Sequence, residues 1–600
     1  MESCLVCGNL VLQPGPSGGF IRGGRGIDLA NSASNCRLCS IVWEGLSTFC
    51  VRNTEEVEWF ALKQDNNHLC LRYKHPAEVK VWIGLEFYTD DAESPLSDIF
   101  NPSEDFELDT ACDKYLAQAK GWVRECCESH AYCKERLSTL LPTRVLDVAH
   151  HEDFVFLCEP EETQMGSYVA LSHVWGGQVP IRTTTDTLGL FKCGIRLDSL
   201  PQTFRDAVSV TRLLECRYLW IDSLCIIQDC KEDWEWQATR MADVYGNAYV
   251  TIAAVKSANS NDGLFSKHET AALKHTVRRL DESGRDVIIN VRPAIEHSPY
   301  YCNDPHGLHP GTEASLLKRA WCFQEYLLSP RVLLFTELEI LWVCLTRTHC
   351  NCKQNSQDPG NLVFEGELRI GLDRSLRSES PPALATAWAL IVDYYALKDL
   401  TYATDKLAAL AGIASLFAGK HFGRYINGLW EPSLVRDLFW AVDTPTGTQF
   451  NIVGHRLEDS SMPSWSWTSV VGPVSLNRAE KIEGLELVDI PWEPNKLGSL
   501  VDISAKSLTL RGFLINARIW TGWLEMDHVT EAQMWTMDVP AEVTCGPDKP
   551  IHAHILCGTE GGGLVIVLVQ GSNNKFRRLG RNWYLPPGRS HYPTRTIQLV

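Results

Sequence analysis

The most informative segment of the chain reads Tyr168-Val-Ala-Leu-Ser-His-Val-Trp-Gly-Gly177. Its first half is apolar and prone to β structure, and the two glycines interrupt any regular element. The segment therefore predicts a buried strand that opens into a loop at Gly176.

Helical and strand patterns alternate after this loop. Pro201 suits the first turn of a helix, and apolar side chains then recur at helical spacing. Tyr218-Leu-Trp-Ile221 is a second apolar run, and the carboxylate of Asp222 follows it directly. Four more elements are predicted by the same patterns: a helix through Trp234 and Tyr245, a strand over 248–255, a helix over 316–328 and a strand over 331–336.

This alternation predicts an α/β fold in which a parallel sheet is flanked by helices. Ligands of such sheets bind beyond the carboxyl ends of the strands. We therefore expect a binding site at the sheet edge, formed by the residues that follow the strands: His173, Trp175, Gly176 and Asp222.

Length and charge limit the classes of function. A chain of 600 residues is expected to form about two to four domains, because one domain typically holds about 100 to 200 residues. Its 56 basic and 74 acidic side chains give a net charge of -18, which argues against nucleic acid as a partner. The sequence has no leader pattern and no long apolar run, so we expect a cytoplasmic protein without a membrane span.

Four stretches of the chain differ in composition. Residues 1–50 are rich in Gly and Cys, and residues 51–160 read as an adaptor region. Residues 165–340 carry the α/β pattern, and residues 341–600 combine helical stretches with later strand-like ones, as in an α+β region. The Cys-rich start cannot bury much apolar surface by itself, so it needs another source of stability.

Two Cys-x-x-Cys pairs offer that stability. Cys4, Cys7, Cys36 and Cys39 match the spacing of a four-thiolate zinc site, although the gap between the pairs is slightly long. They form either a structural zinc knuckle or four unmetallated thiols. A weaker grouping combines Cys126, His130 and Cys133 with Cys350 and Cys352.

Three segments of the chain occur in a fixed order: Tyr168-Val-Ala-Leu-Ser-His-Val-Trp-Gly176, Leu219-Trp-Ile-Asp-Ser-Leu-Cys-Ile-Ile-Gln228 and Arg319-Ala-Trp-Cys-Phe-Gln-Glu-Tyr-Leu-Leu-Ser-Pro-Arg331. Together they resemble the HET domain, the heterokaryon-incompatibility domain of filamentous fungi. Segments outside it, Asp405-Lys-Leu-Ala-Ala-Leu-Ala-Gly412 and Pro463-Ser-Trp-Ser-Trp467 among them, resemble long fungal HET proteins. The resemblance implies non-self recognition and regulated cell death. His173 departs from it, since the family pattern commonly has Tyr there.

A second resemblance bears on mechanism. Arg319-Ala-Trp-Cys-Phe-Gln-Glu325 is distantly similar to the Trp-Cys-Leu-x-Glu segment of plant-type TIR domains, whose Glu cleaves NAD. The resemblance implies that Glu325 is catalytic and that NAD is a substrate. A carboxylate suits this reaction because it stabilises the oxocarbenium-like transition state. About 60 residues separate Ser257 from Leu316, many more than a TIR domain has at this place.

Each candidate residue also has an ordinary structural interpretation. Glu325 could form an ion pair with Arg319 or Arg331. Asp222 could hold a ribose or cap the next turn. A base could contact His173 and Trp175, or both rings could belong to the core.

The sequence leaves two mechanisms open for the central domain. In one, the domain is an enzyme that consumes NAD through Glu325. In the other, it is a signalling module that catalyses nothing and acts by self-association or by binding other incompatibility proteins.

Overall fold

The computed structural model describes residues 4–7, 20–49, 59–65, 68–74, 82–94, 96–97, 99–100, 102, 107, 109–177, 181–267, 274–280, 284–293, 315–337, 339–351, 364–442, 455–456, 462–476, 485–491, 493–494, 503–520, 523–526, 533–534, 536–537, 551–557, 565–571, 575–582 and 594–600. The chain divides into two compact units. The first unit holds Met1–Cys230, Asn247–Leu316 and Ser329–Gly366. The second unit holds Lys231–Gly246, Leu317–Leu328 and Glu367–Val600.

The α-helices are α1 (Gly26–Ala33), α2 (Arg37–Phe49), α3 (Asp113–Ser129), α4 (Leu188–Cys193), α5 (Gln202–Leu213), α6 (Asp222–Cys225), α7 (Lys231–Gly246), α8 (Ser315–Lys318), α9 (Ala320–Leu328), α10 (Phe364–Ser378), α11 (Pro381–Tyr395), α12 (Ala408–Ala418) and α13 (Leu434–Asp437). Short 3-10 helices cover Ala131–Arg136, Leu197–Ser199, Ala403–Lys406, Glu431–Ser433 and Trp467–Ser469. Within the described residues, no helix combines the length and the apolar character needed to cross a membrane.

The strands of the first unit are β1 (Phe20–Arg25), β2 (Trp59–Asp65), β3 (His68–Lys74), β4 (Trp82–Tyr88), β5 (Thr139–Leu140), β6 (Val145–Asp147), β7 (Phe154–Cys158), β8 (Met165–Gly166), β9 (Tyr168–Ser172), β10 (Ile195–Arg196), β11 (Tyr218–Trp220), β12 (Val250–Ala253), β13 (His275–Leu280), β14 (Asp286–Pro293), β15 (Arg331–Phe335), β16 (Ile340–Cys344) and β17 (Thr348–Cys350).

The strands of the second unit are β18 (Tyr425–Ile426), β19 (Leu429–Trp430), β20 (Ala441–Val442), β21 (His455–Arg456), β22 (Val470–Val471), β23 (Val474–Ser475), β24 (Glu486–Asp489), β25 (Glu493–Pro494), β26 (Ile503–Ser504), β27 (Leu508–Trp520), β28 (Trp523–Met526), β29 (Gln533–Met534), β30 (Thr536–Met537), β31 (Ile551–Cys557), β32 (Val565–Gln570), β33 (Lys575–Asn582) and β34 (Thr594–Leu599).

The central sheet of the first unit has the strand order β10-β7-β6-β11-β9-β12-β15-β16-β17. β11, β9, β12 and β15 run parallel to one another. All five residues of β9 are buried, as expected for an interior strand of a parallel sheet. The chain leaves β9 for β11 on one side and then returns to β12 on the other side. This change of direction makes the carboxyl edge around β9 the place where open α/β sheets bind ligands.

The elements expected between residues 168 and 336 are present, with two differences. The helix expected over 316–328 is two helices, because Asp399 pairs through its backbone with Lys318 and Ala320 and so interrupts the helical hydrogen bonds at Arg319. The sheet is mixed rather than parallel throughout, since antiparallel strands flank the four parallel ones. The flanking β6 has only three residues, too few to show a periodic pattern in the sequence.

A second sheet of the first unit has the order β1-β2-β3-β4-β14-β13 and is antiparallel. The hairpin of β13 and β14 comes from the long segment between Ser257 and Leu316, which thus completes the sheet begun by the N-terminal strands. A buried ion pair joins β14 to β4, with Arg292 Nε 2.8 Å from Glu86 Oε2.

The second unit begins with helices and ends with strands, in agreement with the α+β pattern. Its core contains tryptophans with no exposed surface: Trp388, Trp430, Trp440, Trp465 and Trp467. In the C-terminal sheet, β27 pairs with both β31 and β34, and β32 and β33 complete a closed circuit of five strands. Closure of such a circuit protects the strand edges from pairing with other chains.

Candidate functional site

The sheet edge expected from the sequence brings three of its residues together. Trp175 Nε1 donates a hydrogen bond of 2.7 Å to Asp222 Oδ2, so the loop after β9 is joined to the segment after β11, where α6 begins. Asp222 Oδ1 accepts a second hydrogen bond, of 2.7 Å, from the backbone N–H of Ser223. A carboxylate offers about four lone-pair positions, so Asp222 can still accept hydrogen bonds from a bound hydroxyl.

His173 lies behind this pair. Its Nδ1 atom is 3.8 Å from Asp222 Oδ1, and its ring packs edge-on against Phe204 of α5, with 5.0 Å between ring centroids. The residue is only 4% exposed. Because His173 is buried, it is better suited to positioning Asp222 than to stacking directly on a base.

Gly176 brings a third loop into the sheet edge. Its φ of +75° is in the left-handed region, and a Cβ atom built there would lie 2.5 Å from the Cβ atom of Asn259. Asn259 belongs to the loop after β12, which Asp262 holds by accepting hydrogen bonds from the backbone N–H groups of Ala258 and Asn259. The loops after β9, β11 and β12 therefore meet at one edge, and the sequence had not indicated Asn259 or Asp262.

We predict that Gly176→Ala lowers the free energy of unfolding by about 1 to 3 kcal/mol, because it adds both backbone strain and a steric overlap. Thermal and chemical unfolding of the full chain would measure this loss. Gly177→Ala is the matched control, since a Cβ atom at Gly177 meets nothing within 4 Å. Equal stability of the two variants would contradict the close approach of the loops.

Glu325 belongs to the second unit, whereas the sheet-edge residues belong to the first. It lies in α9, where all residues except Trp321 are buried, and it is itself 6% exposed. The preceding Gln324 accepts a hydrogen bond of 2.9 Å from the backbone N–H of Gly412 in α12. Two of the sequence motifs, around Glu325 and around Gly412, are thus in direct contact.

Arg331, which the sequence offered as an ion-pair partner of Glu325, binds backbone groups of the first unit. Its guanidinium donates hydrogen bonds to the carbonyl oxygens of Tyr249 and Cys133. The side chain has no exposed surface. These contacts fix the segment that follows α3 against the start of β15.

The two N-terminal Cys pairs converge as expected. Their four sulfur atoms, which we call the first cluster (Cys4, Cys7, Cys36 and Cys39), lie within 4.8 Å of one another. Sulfur atoms from different pairs are 3.8 Å and 3.5 Å apart, close to the roughly 3.8 Å expected for thiolates on tetrahedral zinc. Ser32 adds a hydroxyl 3.3 Å from the sulfur of Cys39. The cluster can bind a metal ion.

A second cluster (Cys126, His130, Cys133 and Cys344) also has its four ligand atoms within 4.8 Å of one another. The sequence had grouped the first three residues but had named Cys350 and Cys352 as their partners. Cys350 is not part of the cluster, and Cys352 lies outside the described residues. The sequence did not identify Cys344 as a ligand, because it ends the apolar run of β16 and looks like an ordinary core residue.

The second cluster favours one thiolate. Hydrogen bonds from Cys126 and Cys344 lower the pKa of Cys133 to about 2. The hydrogen bond with Cys133 in turn raises the pKa of Cys126. The hydrogen bonds within the cluster thus favour the thiolate form at Cys133.

Residues 168–325 match the model of the family described as heterokaryon incompatibility protein (HET). The chain is also similar to "Heterokaryon incompatibility protein 6, OR allele" of Neurospora crassa, with 24% identity over 200 residues. That alignment covers 27% of this chain and 27% of the relative. The chain thus spans about a quarter of the length of this relative. No solved structure is significantly similar to the chain.

The matched segment begins with β9, includes the three loops of the sheet edge and ends in α9. It therefore belongs to a class of α/β domains built on parallel strands with polar loops at their carboxyl edge. The chain contains a HET domain over residues 168–325.

Proposed function

We propose that this protein is an effector of heterokaryon incompatibility that triggers regulated cell death after non-self recognition. The match to the HET family and the name of the Neurospora relative support this role. We further propose that it acts in the cytoplasm, with the 165–340 stretch as the effector domain between the adaptor and C-terminal stretches.

We infer that the HET domain acts as a TIR-like enzyme that cleaves NAD. The observation that supports this best is the Trp175–Asp222 hydrogen bond at the carboxyl edge of parallel strands, where nucleotides bind in open α/β sheets. Asp222 can accept hydrogen bonds from ribose hydroxyls. Trp175 is half-buried, so part of its ring is free to pack on a base.

Gly176 would contribute to the site through its exposed backbone, because the space beside its Cα atom is filled by Asn259. The exposed backbone of Gly176 and Gly177 lies directly after Trp175. His173 would act through Asp222, by keeping the carboxylate in place. These roles make Asp222 the residue of the edge whose change should affect nucleotide binding most.

Glu325 is the proposed catalytic carboxylate. The bond between nicotinamide and ribose breaks through a state with positive charge on the sugar, which a nearby carboxylate stabilises. The support for this role is the Trp-Cys-Phe-Gln-Glu segment, together with the buried placement of its helix. Gln324 and Gly412 hold α9 through their hydrogen bond.

Purified full-length protein, concentrated enough to self-associate, should release nicotinamide from NAD. Asp222→Asn should raise the KM for NAD about tenfold or more, because it removes a charged acceptor for hydroxyl groups. Asp229→Asn is the matched control: Asp229 follows α6 closely in the sequence, and its carboxylate accepts hydrogen bonds from the backbone N–H and the hydroxyl of Thr185. Equal kinetics of both variants would remove Asp222 from the site, and no release by any concentrated preparation would contradict the enzyme.

The alternative is a signalling module that assembles with itself or with other incompatibility proteins and catalyses nothing. One observation favours it: Glu325 is only 6% exposed, and a buried carboxylate is often a structural partner. This alternative predicts cell death that depends on protein concentration while cellular NAD stays constant. Measuring NAD before loss of viability separates the two mechanisms.

We propose that the first cluster binds one structural zinc ion. Four thiolates and no open position are typical of structural zinc sites. Such an ion would supply the stability that the short N-terminal segment lacks, because metal binding adds directly to the folding free energy.

A further inference from the structure

We propose that the second cluster binds a structural zinc ion, which fastens the end of α3 to the outer part of the central sheet. This site is independent of the proposed enzymatic activity and of the first cluster. Its support comes from the placement of the ligands, from the groups that surround them and from their burial.

Three of the ligands are placed by one local structure. Cys126 is in the last turn of α3, His130 follows the helix, and Cys133 is in the next 3-10 helix. The backbone N–H of His130 donates to the carbonyl of Cys126, and that of Cys133 donates to the carbonyl of His130. These hydrogen bonds turn the three side chains toward one point before any metal binds.

The fourth ligand comes from a distant part of the chain. Cys344 ends β16, and its sulfur is 3.4 Å from Nδ1 of His130, across 214 residues of sequence. Tetrahedral zinc places a sulfur and a nitrogen ligand roughly 3.6 Å apart. The observed separation therefore suits a shared metal ion.

Groups around the ligands have the arrangement found at zinc sites. The backbone N–H groups of Thr346 and Arg347 point at the sulfur of Cys344, at 3.4 and 3.2 Å. On the far side of the His130 ring, Nε2 is 4.0 Å from a carboxylate oxygen of Glu125. Hydrogen-bond donors to thiolates and carboxylates behind imidazoles orient metal ligands and tune their basicity.

Burial indicates a structural role for the ion. The four residues are at most 7% exposed. Four protein ligands would fill the coordination of a tetrahedral zinc ion and leave no position for water or substrate. Arg331 holds the carbonyl of Cys133 from β15, the strand that pairs with β16. The proposed ion would thus join α3, which precedes the HET match, to strands that follow it.

Metal analysis of the full-length chain tests the proposal. A Cys36→Ser/Cys39→Ser background disables the first cluster, and it should retain about one equivalent of zinc. Cobalt(II) loaded into this background should give the visible spectrum of a tetrahedral site with three sulfur ligands and one nitrogen ligand. Adding Cys344→Ser should remove the metal and the spectrum, whereas adding His130→Cys should keep the metal and shift the spectrum toward four sulfur ligands.

Cys216→Ser is the matched control, because Cys216 is a buried thiol of the same unit outside both clusters. It should leave the metal content unchanged. A folded background chain without metal would overturn the proposal, as would metal retained after Cys344→Ser. A disulfide between two cysteines of the cluster, located by mass spectrometry of proteolytic peptides, would also overturn it. If the background chain fails to fold, the zinc contents of the unmodified chain and of the single variant Cys344→Ser are compared instead. The proposal then predicts one zinc ion fewer in Cys344→Ser, and equal contents would overturn it.

Discussion

Glu325→Gln should abolish cell death and lower nicotinamide release by about 100-fold or more, while the protein stays soluble and abundant. Gln keeps nearly the same shape and can still form hydrogen bonds, so the fold of α9 should persist. It carries no charge, so the positively charged transition state loses its stabilisation. Toxicity on expression, soluble protein level and NAD turnover should be measured together for the variant and the unmodified chain.

A structural role for Glu325 gives a different combination of results. If the carboxylate balances a buried cation, its removal should cost about 3 to 5 kcal/mol, a large part of the stability of a typical domain. Abundance and toxicity would then fall together. Glu379→Gln is the control for a change of charge alone, because Glu379 is in the same unit but exposed and paired with Lys420. An abundant and fully toxic Glu325→Gln protein would refute the catalytic assignment.

Cys36→Ser should release one equivalent of zinc from the chain and destabilise its N-terminal part. Mutating a residue that only hydrogen-bonds to a metal ligand lowers metal affinity by about 10- to 100-fold. The loss of a thiolate ligand should therefore lower the zinc affinity more. Loss of the metal should also destabilise the N-terminal hydrophobic core, because Cys7 and Cys39 pack in it with Leu29, Ile41 and Leu46. We expect faster proteolysis of α1 and α2 and a lower melting temperature.

Cys193→Ser provides the comparison for this experiment, since Cys193 is exposed and outside both clusters. Zinc content, limited proteolysis and thermal unfolding should match those of the unmodified chain. The same zinc content in Cys36→Ser would mean that the first cluster consists of four unmetallated thiols.

Local patterns in the sequence determined the central strands and their carboxyl edge. The run from Tyr168 to Gly177 contains both the strand and its stop, because β propensity and the two glycines act over a few residues. The pair of Cys-x-x-Cys motifs likewise converges as expected, since two-residue spacing turns both sulfurs to one side. The match to the HET family over residues 168–325 confirms the resemblance carried by the three ordered motifs.

Contacts between distant segments were decided only by the tertiary structure. Cys344 joins His130 across 214 residues, and the hairpin of β13 and β14 pairs with β4, about 200 residues earlier in the sequence. The meeting of Gly176 with Asn259 also depends on the order in which the strands assemble. Side-chain periodicity reports which face of an element is buried, but it carries no information about which partner covers that face. The fold class and the first cluster are therefore encoded locally, whereas the second cluster and the joined loops at the sheet edge arise only when the strands take their places.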